Sequence, residues 1–179
     1  MHESKSARHL FFASLTFSLG AAIGCTTYTL CSESAVLRLR EILISWYARN
    51  GVFAPFASDM LIVLLVLLFC ASSVGSPFIL ILDILFGFCL ALKCSVILTN
   101  VLPISEPVAL FLLDLASVLP VLRISSLGMM TSRCFTRLWR SGGKQVFDLH
   151  PIIRLIWLSL MALFILLPIR CLLSALILP

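Results

Sequence analysis

Long apolar stretches separated by short polar segments dominate the sequence. They lie at about 10–30, 55–72, 77–98, 108–130 and 152–178. A helix of about 20 apolar residues crosses the hydrocarbon core of a bilayer, so each stretch is long enough, or nearly so, for one crossing. The pattern predicts an all-α, polytopic bundle of five transmembrane helices, with residues 1–179 as a single integral membrane domain.

One break divides the long apolar stretch that follows residue 52. The sequence there is SSVGSP, at 72–77. Glycine and proline between two apolar runs indicate a tight turn, so Gly75 and Pro77 predict a helical hairpin. Pro77 also suits the first turn of the following helix, where its missing N–H costs nothing. Pro120 lies inside the fourth run, where a proline removes a backbone hydrogen bond and predicts a kink.

Residues 32–57, between the first two runs, have a different character. Two sets of positions recur there at rough helical spacing, namely Leu37, Glu41, Ile44 and Tyr47, and Val36, Leu39, Leu43 and Trp46. Three arginines add charge. The segment predicts a short amphipathic helix that lies on the membrane surface or against a partner. Asn50-Gly51 is a typical helix end.

The first run contains two glycines four residues apart, Gly20 and Gly24. They fall on one face of a helix and allow a second helix to approach closely. We interpret them as helix-packing positions. Homodimerisation through the same two glycines is an alternative.

Composition supports the membrane interpretation. The chain is 61% hydrophobic and 12% charged, whereas soluble domains are about 45–50% apolar and about 25% charged. A soluble fold would leave large apolar patches exposed. The net charge of +5 could indicate nucleic-acid binding. The basic residues of the chain cluster between apolar runs, however. This distribution favours contact with membrane lipid, and we expect no nucleic acid to bind.

The basic clusters also predict an orientation. The segment 131–150 carries Arg133, Arg137, Arg140 and Lys144 against one acid, and such segments face the cytoplasm. Counting back through the spans places the amino terminus in the cytoplasm and the carboxyl terminus outside. The arginines of 32–57 then lie outside.

Several charged residues occur within or near the apolar runs. Asp83 and Asp114 lie deep in their runs, and Arg170 lies in the last one. A charge at mid-membrane costs about 2.5–3.5 kcal/mol, so each needs a partner or a proton. We expect the aspartates to pair with Lys93, Arg123 or Arg170, or to be protonated. A proton or cation relay and a pairing with another protein's helix are the alternatives.

Motifs of catalysis are missing from the sequence. HExxH, GxSxG and Walker sequences do not occur, and the three histidines stand at no ligand spacing. Most of the seven cysteines lie inside apolar runs and form no CxxC pair, which is typical of small packing residues. We therefore expect no enzyme, no catalytic residue, no metal and no cofactor.

Three segments occur in a characteristic order that covers nearly the whole chain. They are the glycine-spaced Leu19-Gly20-Ala21-Ala22-Ile23-Gly24 after a basic start, Gly75-Ser76-Pro77 leading into 78–87 with Ala91, and 111–120 ending in Leu119-Pro120. In this order, and with the basic segment and final run behind them, they resemble the stage II sporulation protein M family. Gly87 joins Gly20 and Gly24 as a packing position by residue type.

The resemblance implies a location in the plasma membrane of a bacterium and a role in endospore formation. Members of that family lie in the mother-cell membrane during engulfment and act as a scaffold for the peptidoglycan-degrading stage II sporulation proteins D and P. A scaffold of this kind is not catalytic, and residues 32–57 would be its partner surface. A transporter or permease subunit is the alternative, because buried carboxylates and proline-broken helices are typical of ion paths.

Overall fold

The computed structural model describes residues 2–50, 53–99 and 105–140, together with residue 150 and scattered positions up to 168. The five continuous helices of these ranges are α1 (His2–Leu30), α2 (Glu33–Asn50), α3 (Phe53–Cys70), α4 (Gly75–Thr99) and α5 (Ser105–Arg140). No strand occurs among the described residues. The prediction of an all-α fold is confirmed.

Three segments of the described chain are long and apolar enough to cross a membrane, and they indicate a membrane protein. They are Ala7–Leu30, Gly75–Leu98 and Leu115–Arg137. A shorter apolar helix, Asp59–Cys70, lies within the second predicted run. The fifth run, at 152–178, falls mostly outside the described residues, and so does Arg170. The structure therefore supports three spans of the five that the sequence predicts.

The outer face of α1 is apolar along most of its length. Its exposed side chains include Phe11 (63%), Leu15 (54%), Leu19 (54%) and Ile23 (44%), at a spacing of four residues. In water such a stripe would be an aggregation hazard. Hydrocarbon is the solvent that suits it, which agrees with α1 as a membrane span.

Helices α1 and α4 lie in direct backbone contact. Gly20 faces the backbone of Ile84, and a Cβ built on Gly20 would overlap the Ile84 carbonyl oxygen. One turn on, a Cβ on Gly24 would lie 2.6 Å from the Phe88 carbonyl oxygen. Gly20 contacts Ile84 and Gly24 contacts Phe88, so residue numbers increase in the same direction along both helices. The two helices therefore run parallel.

Gly87 makes the reciprocal contact from the other helix. A Cβ there would overlap the Phe17 carbonyl oxygen and lie 3.0 Å from the Ala21 nitrogen. Beside this contact the rings of Phe17 and Phe86 pack at a centroid distance of 5.6 Å. Gly20 and Gly24 are thus occupied by α4 of the same chain, so the face that the homodimer alternative requires is already used.

Helices α3, α4 and α5 complete the bundle. α3 and α4 form an antiparallel hairpin around the turn at 71–74, and the rings of Phe69 and Phe78 stack across it at 5.1 Å. α5 packs along the hairpin with Gly128 against Val66 and Ile79. The core cluster consists of Ala13, Val63, Val66, Cys70, Ile79, Leu122, Ile124, Met129 and Leu155.

Pro77 lies in the first turn of α4, as the sequence predicts, and Gly75 is the first residue of that helix rather than part of the turn. One boundary differs from the sequence prediction. α5 extends through Pro120 and continues to Arg140, although the sequence predicted a loop from 131. Arginine favours helices, and neither glycine nor proline occurs from residue 131 to residue 141, so the basic residues continue the helix.

The α1–α4 contact predicts the effect of a single methyl group. We expect Gly20→Ala to destabilise the protein by about 1–3 kcal/mol, because the Ile84 carbonyl is backbone and cannot rotate away. Ser18→Ala, at an exposed position of the same helix, is the control and should have little effect. Thermal unfolding in detergent measures both. An unchanged midpoint for Gly20→Ala would contradict the close packing.

Candidate functional site

The buried polar residues of the described chain concentrate on α5. Its side chains with at most 2% exposure include Ser117, Ser125, Ser126, Thr131 and Ser132. Ser125, Ser132 and Thr136 are spaced by seven and four residues, which places them on one helix face. We call these three residues the α5 seam. It faces α4 and the turn that precedes α4.

Ser132 joins α5 to both sides of the α3–α4 turn. Its hydroxyl donates to the Ser72 carbonyl at 2.8 Å and accepts the Ser76 N–H at 3.0 Å. The Ser76 amide belongs to the first turn of α4, where no carbonyl of the same helix can accept it. Ser132 therefore caps α4 from another helix.

Thr136 supplies a second link one helical turn further on. Its hydroxyl donates to the Ser73 carbonyl at 2.6 Å, with the Ser132 carbonyl also in reach at 2.9 Å. A turn has no helical hydrogen bonds to satisfy its carbonyls. Such partners matter in a membrane, since an unsatisfied backbone group costs several kcal/mol in hydrocarbon. The α5 seam thus holds the turn by hydrogen bonds from its hydroxyls.

Gly75 makes this approach possible. A Cβ on Gly75 would overlap the Phe69 carbonyl oxygen and lie 3.1 Å from the Ser132 hydroxyl. Pro77 follows two residues later and donates no N–H, so it leaves no orphan donor in the first turn of α4. The two residues that the sequence analysis selected as turn signals therefore belong to the contact between α4 and its neighbours.

Asp83 lies two turns further along α4, with 1% of its surface exposed. The Ser125 hydroxyl of the α5 seam lies beside its carboxyl group. Within the described part of the chain, neither carboxyl oxygen of Asp83 makes a hydrogen bond. The Ser125 hydroxyl does not make one either. A carboxylate in this position would be a bare buried charge, which is strongly unfavourable.

Asp83 forms neither of the two expected ion pairs whose partners lie within the described residues. Neither Lys93 nor Arg123 pairs with it in the described chain, where its oxygens are unbonded, and Arg123 is exposed. Ten residues of helix separate Lys93 from Asp83, which is too far for contact. That part of the expectation is wrong. Arg170 and the side chain of Asp114, which stands in α5, lie outside the described residues.

The described residues contain no metal-binding group of three or more His, Cys, Asp or Glu side chains. The described cysteines are free thiols: Cys25, Cys31, Cys70, Cys89, Cys94 and Cys134. Buried hydroxyls, the carboxyls of Asp59 and Asp83 and the imidazole of His9 are therefore the polar groups of the described chain on which an activity of this bundle would depend.

Sequence reasoning missed Ser132, Thr136 and Gly128. Their signal is a spacing: the hydroxyls at 125, 132 and 136 recur at helical intervals within an otherwise apolar and basic stretch. The spacing identifies a polar face, but the turn residues that this face binds lie about 60 positions earlier. The interacting pair is visible only in the folded chain.

The links from the α5 seam predict a loss of order at the start of α4. We expect Ser132→Ala to cost about 1–3 kcal/mol, because the Ser76 N–H loses its acceptor and the Ser72 carbonyl its donor. Hydrogen exchange should then accelerate at the Ser76 amide. Thr131→Val is a matched control, since the Thr131 hydroxyl bonds only within its own helix. Equal exchange in both variants would contradict the capping role.

Comparison with known proteins finds no match to any family model, to curated proteins or to solved structures. The resemblance to the stage II sporulation protein M family stays a prediction from the order of sequence features.

Proposed function

We propose that the protein is a non-catalytic membrane scaffold that crosses the bilayer five times and presents α2 to a protein partner. The packed bundle supports this proposal, because backbone contact between α1 and α4 and the links from the α5 seam give a rigid platform. α2 begins three residues after α1 ends. It therefore starts at the end of the bundle opposite to the α3–α4 turn.

The two faces of α2 carry the argument for a partner. Val36, Leu39 and Leu43 are half-buried. On the outward face, Leu37 is 53% and Ile42 is 63% exposed, with Arg38 and Glu41 between them. Exposed aliphatic groups rimmed by polar residues mark sites of interaction with a protein or a membrane. This exposed, mixed face is the single observation on which the scaffold proposal rests.

The resemblance supplies the finer form of the proposal. In it, the amino terminus and the basic end of α5 face the bacterial cytoplasm, and α2 lies outside, where stage II sporulation proteins D and P would dock. The parallel course of α1 and α4 supports this, since α3 must then return across the membrane between them while α2 stays on the outer side. The basic residues at the turn end of the bundle also support a cytoplasmic position there.

Partner capture tests the scaffold. We expect pull-down of the tagged protein from sporulating cells to recover peptidoglycan-degrading proteins, and Leu37→Asp with Ile42→Asp to reduce recovery about tenfold, because both aliphatic contacts are lost. Cys134→Asp adds a charge at an exposed site on the other end of the bundle. It should leave recovery unchanged.

Two results would contradict the proposal. Recovery that is insensitive to the Leu37 and Ile42 substitutions excludes α2 as the partner surface. Normal engulfment after deletion of the gene in its native host, or a host that makes no spores, excludes the sporulation role. The second result leaves a scaffold for other partners standing.

A transporter subunit is the second candidate, and Asp83 is the observation that favours it. A buried carboxyl without a hydrogen bond in the described chain is a typical proton or cation carrier in membranes. Asp114 lies on the neighbouring helix α5. A relay along α4 and α5 would use these two groups.

Flux in liposomes distinguishes the two candidates. A transporter requires that the wild type conducts and that Asp83→Asn abolishes conduction. The substitution should not lower the melting temperature, because Asp83 has no hydrogen bond to lose. Asp59→Asn is the control: Asp59 is also buried, at 5% exposure, but does interact with a neighbour, so its substitution should destabilise the fold. A wild type without flux would remove the transporter from consideration.

A further inference from the structure

The final turns of α5 carry a row of exposed arginines. Arg133, Arg137 and Arg140 are spaced by four and three residues, so they share one face of the helix. All three are exposed. Trp139, beside them, is 80% exposed. We call Arg133, Arg137 and Arg140 the arginine row.

The α5 seam fixes the level of this row in the bundle. Ser132 and Thr136 bond to the carbonyls of Ser72 and Ser73, so this part of α5 passes directly beside the α3–α4 turn. The candidate spans begin or end at this level, at Ala7 in α1, Gly75 in α4 and Arg137 in α5, so the turn lies at the edge of the membrane. The arginine row therefore lies at the depth of the lipid headgroups on that side.

A fourth arginine comes from α1. Gly20 lies opposite Ile84 in parallel helices, so a residue twelve positions before Gly20 is level with the α3–α4 turn. That residue is Arg8, which is exposed and has its guanidinium 5.7 Å from the centre of the Phe12 ring. The ranges 7–16, 71–82 and 131–140, which form this end of the bundle, contain no Asp or Glu.

We propose that the arginine row, supported by Arg8 at the same level, binds the phosphate groups of anionic phospholipids. Guanidinium groups match phosphate oxygens with two parallel hydrogen bonds and are held there without a competing carboxylate. The depth of the row selects lipid over a soluble polyanion. Trp139 fits the same location, because tryptophan concentrates at the membrane interface. The site is independent of the scaffold role.

Trp139 provides a direct probe of this site. The other tryptophans are replaced in Trp46→Phe and Trp157→Phe, and the protein is reconstituted in phosphatidylcholine vesicles. A fixed fraction of the lipid is brominated near the top of its acyl chains, either as phosphatidylglycerol or as phosphatidylcholine. We expect brominated phosphatidylglycerol to quench Trp139 at least about twofold more, because the arginines enrich it locally.

Four further experiments identify the cause. Arg133→Gln with Arg137→Gln and Arg140→Gln should remove the excess quenching, and so should high NaCl with the wild-type arginines, since salt screens the attraction. Arg38→Gln, an exposed arginine of α2 at the other end, should preserve it. Replacing chloride with inorganic phosphate at equal ionic strength should also preserve it, because the row selects lipid.

Equal quenching by the two brominated lipids would overturn the proposal. Excess quenching that survives the triple substitution would also overturn it, as would displacement by inorganic phosphate. The salt arm uses the unsubstituted arginine row, so the proposal remains open to refutation even if the triple variant fails to fold.

Discussion

The fold depends on the contact between the backbones of α1 and α4. Lipid tails are as apolar as leucine, so burial alone does not hold helices together in a membrane. Close packing must do so instead, and here Gly20 and Gly24 of α1 meet the backbone of α4 while Gly87 returns the contact. Because α4 also packs against α3 and α5, its position against α1 sets the geometry of the remaining helices.

Polar groups in this bundle follow two different rules. The carbonyls and the amide at the α3–α4 turn are satisfied by the hydroxyls of Ser132 and Thr136, so hydrogen bonds add specificity to a mainly apolar interface. Asp83 has no such partner within the described chain. Burying an unpaired carboxyl costs free energy, and helix packing gives no reason for it. Asp83 is therefore the residue that favours the transporter alternative.

Much of the architecture could be predicted from the hydrophobic pattern. The long helices follow from the apolar runs, the hairpin turn before α4 follows from Gly75 and Pro77, and the short helix α2 follows from the helical spacing of its apolar residues. The end of α5 could not, because loss of hydrophobicity at Arg133 marks the edge of a membrane and does not stop a helix. Likewise Gly20 and Gly24 reveal a face for close packing, but not that α4 covers it. Which helix packs against which depends on the fold, and the hydrogen bonds of Ser132 to residues far away in the sequence demonstrate the same point.

We propose that the chain crosses the membrane with the turn end of the bundle on the cytoplasmic side and α2 outside, and the scaffold proposal depends on this orientation. Single cysteines in an otherwise cysteine-free protein test it, using Cys134 at the turn end and Ser34→Cys in α2, both at exposed positions. A membrane-impermeant maleimide applied to intact cells should label Ser34→Cys, and should label Cys134 only after the membrane is opened. Labelling of both positions from the same side would contradict the account.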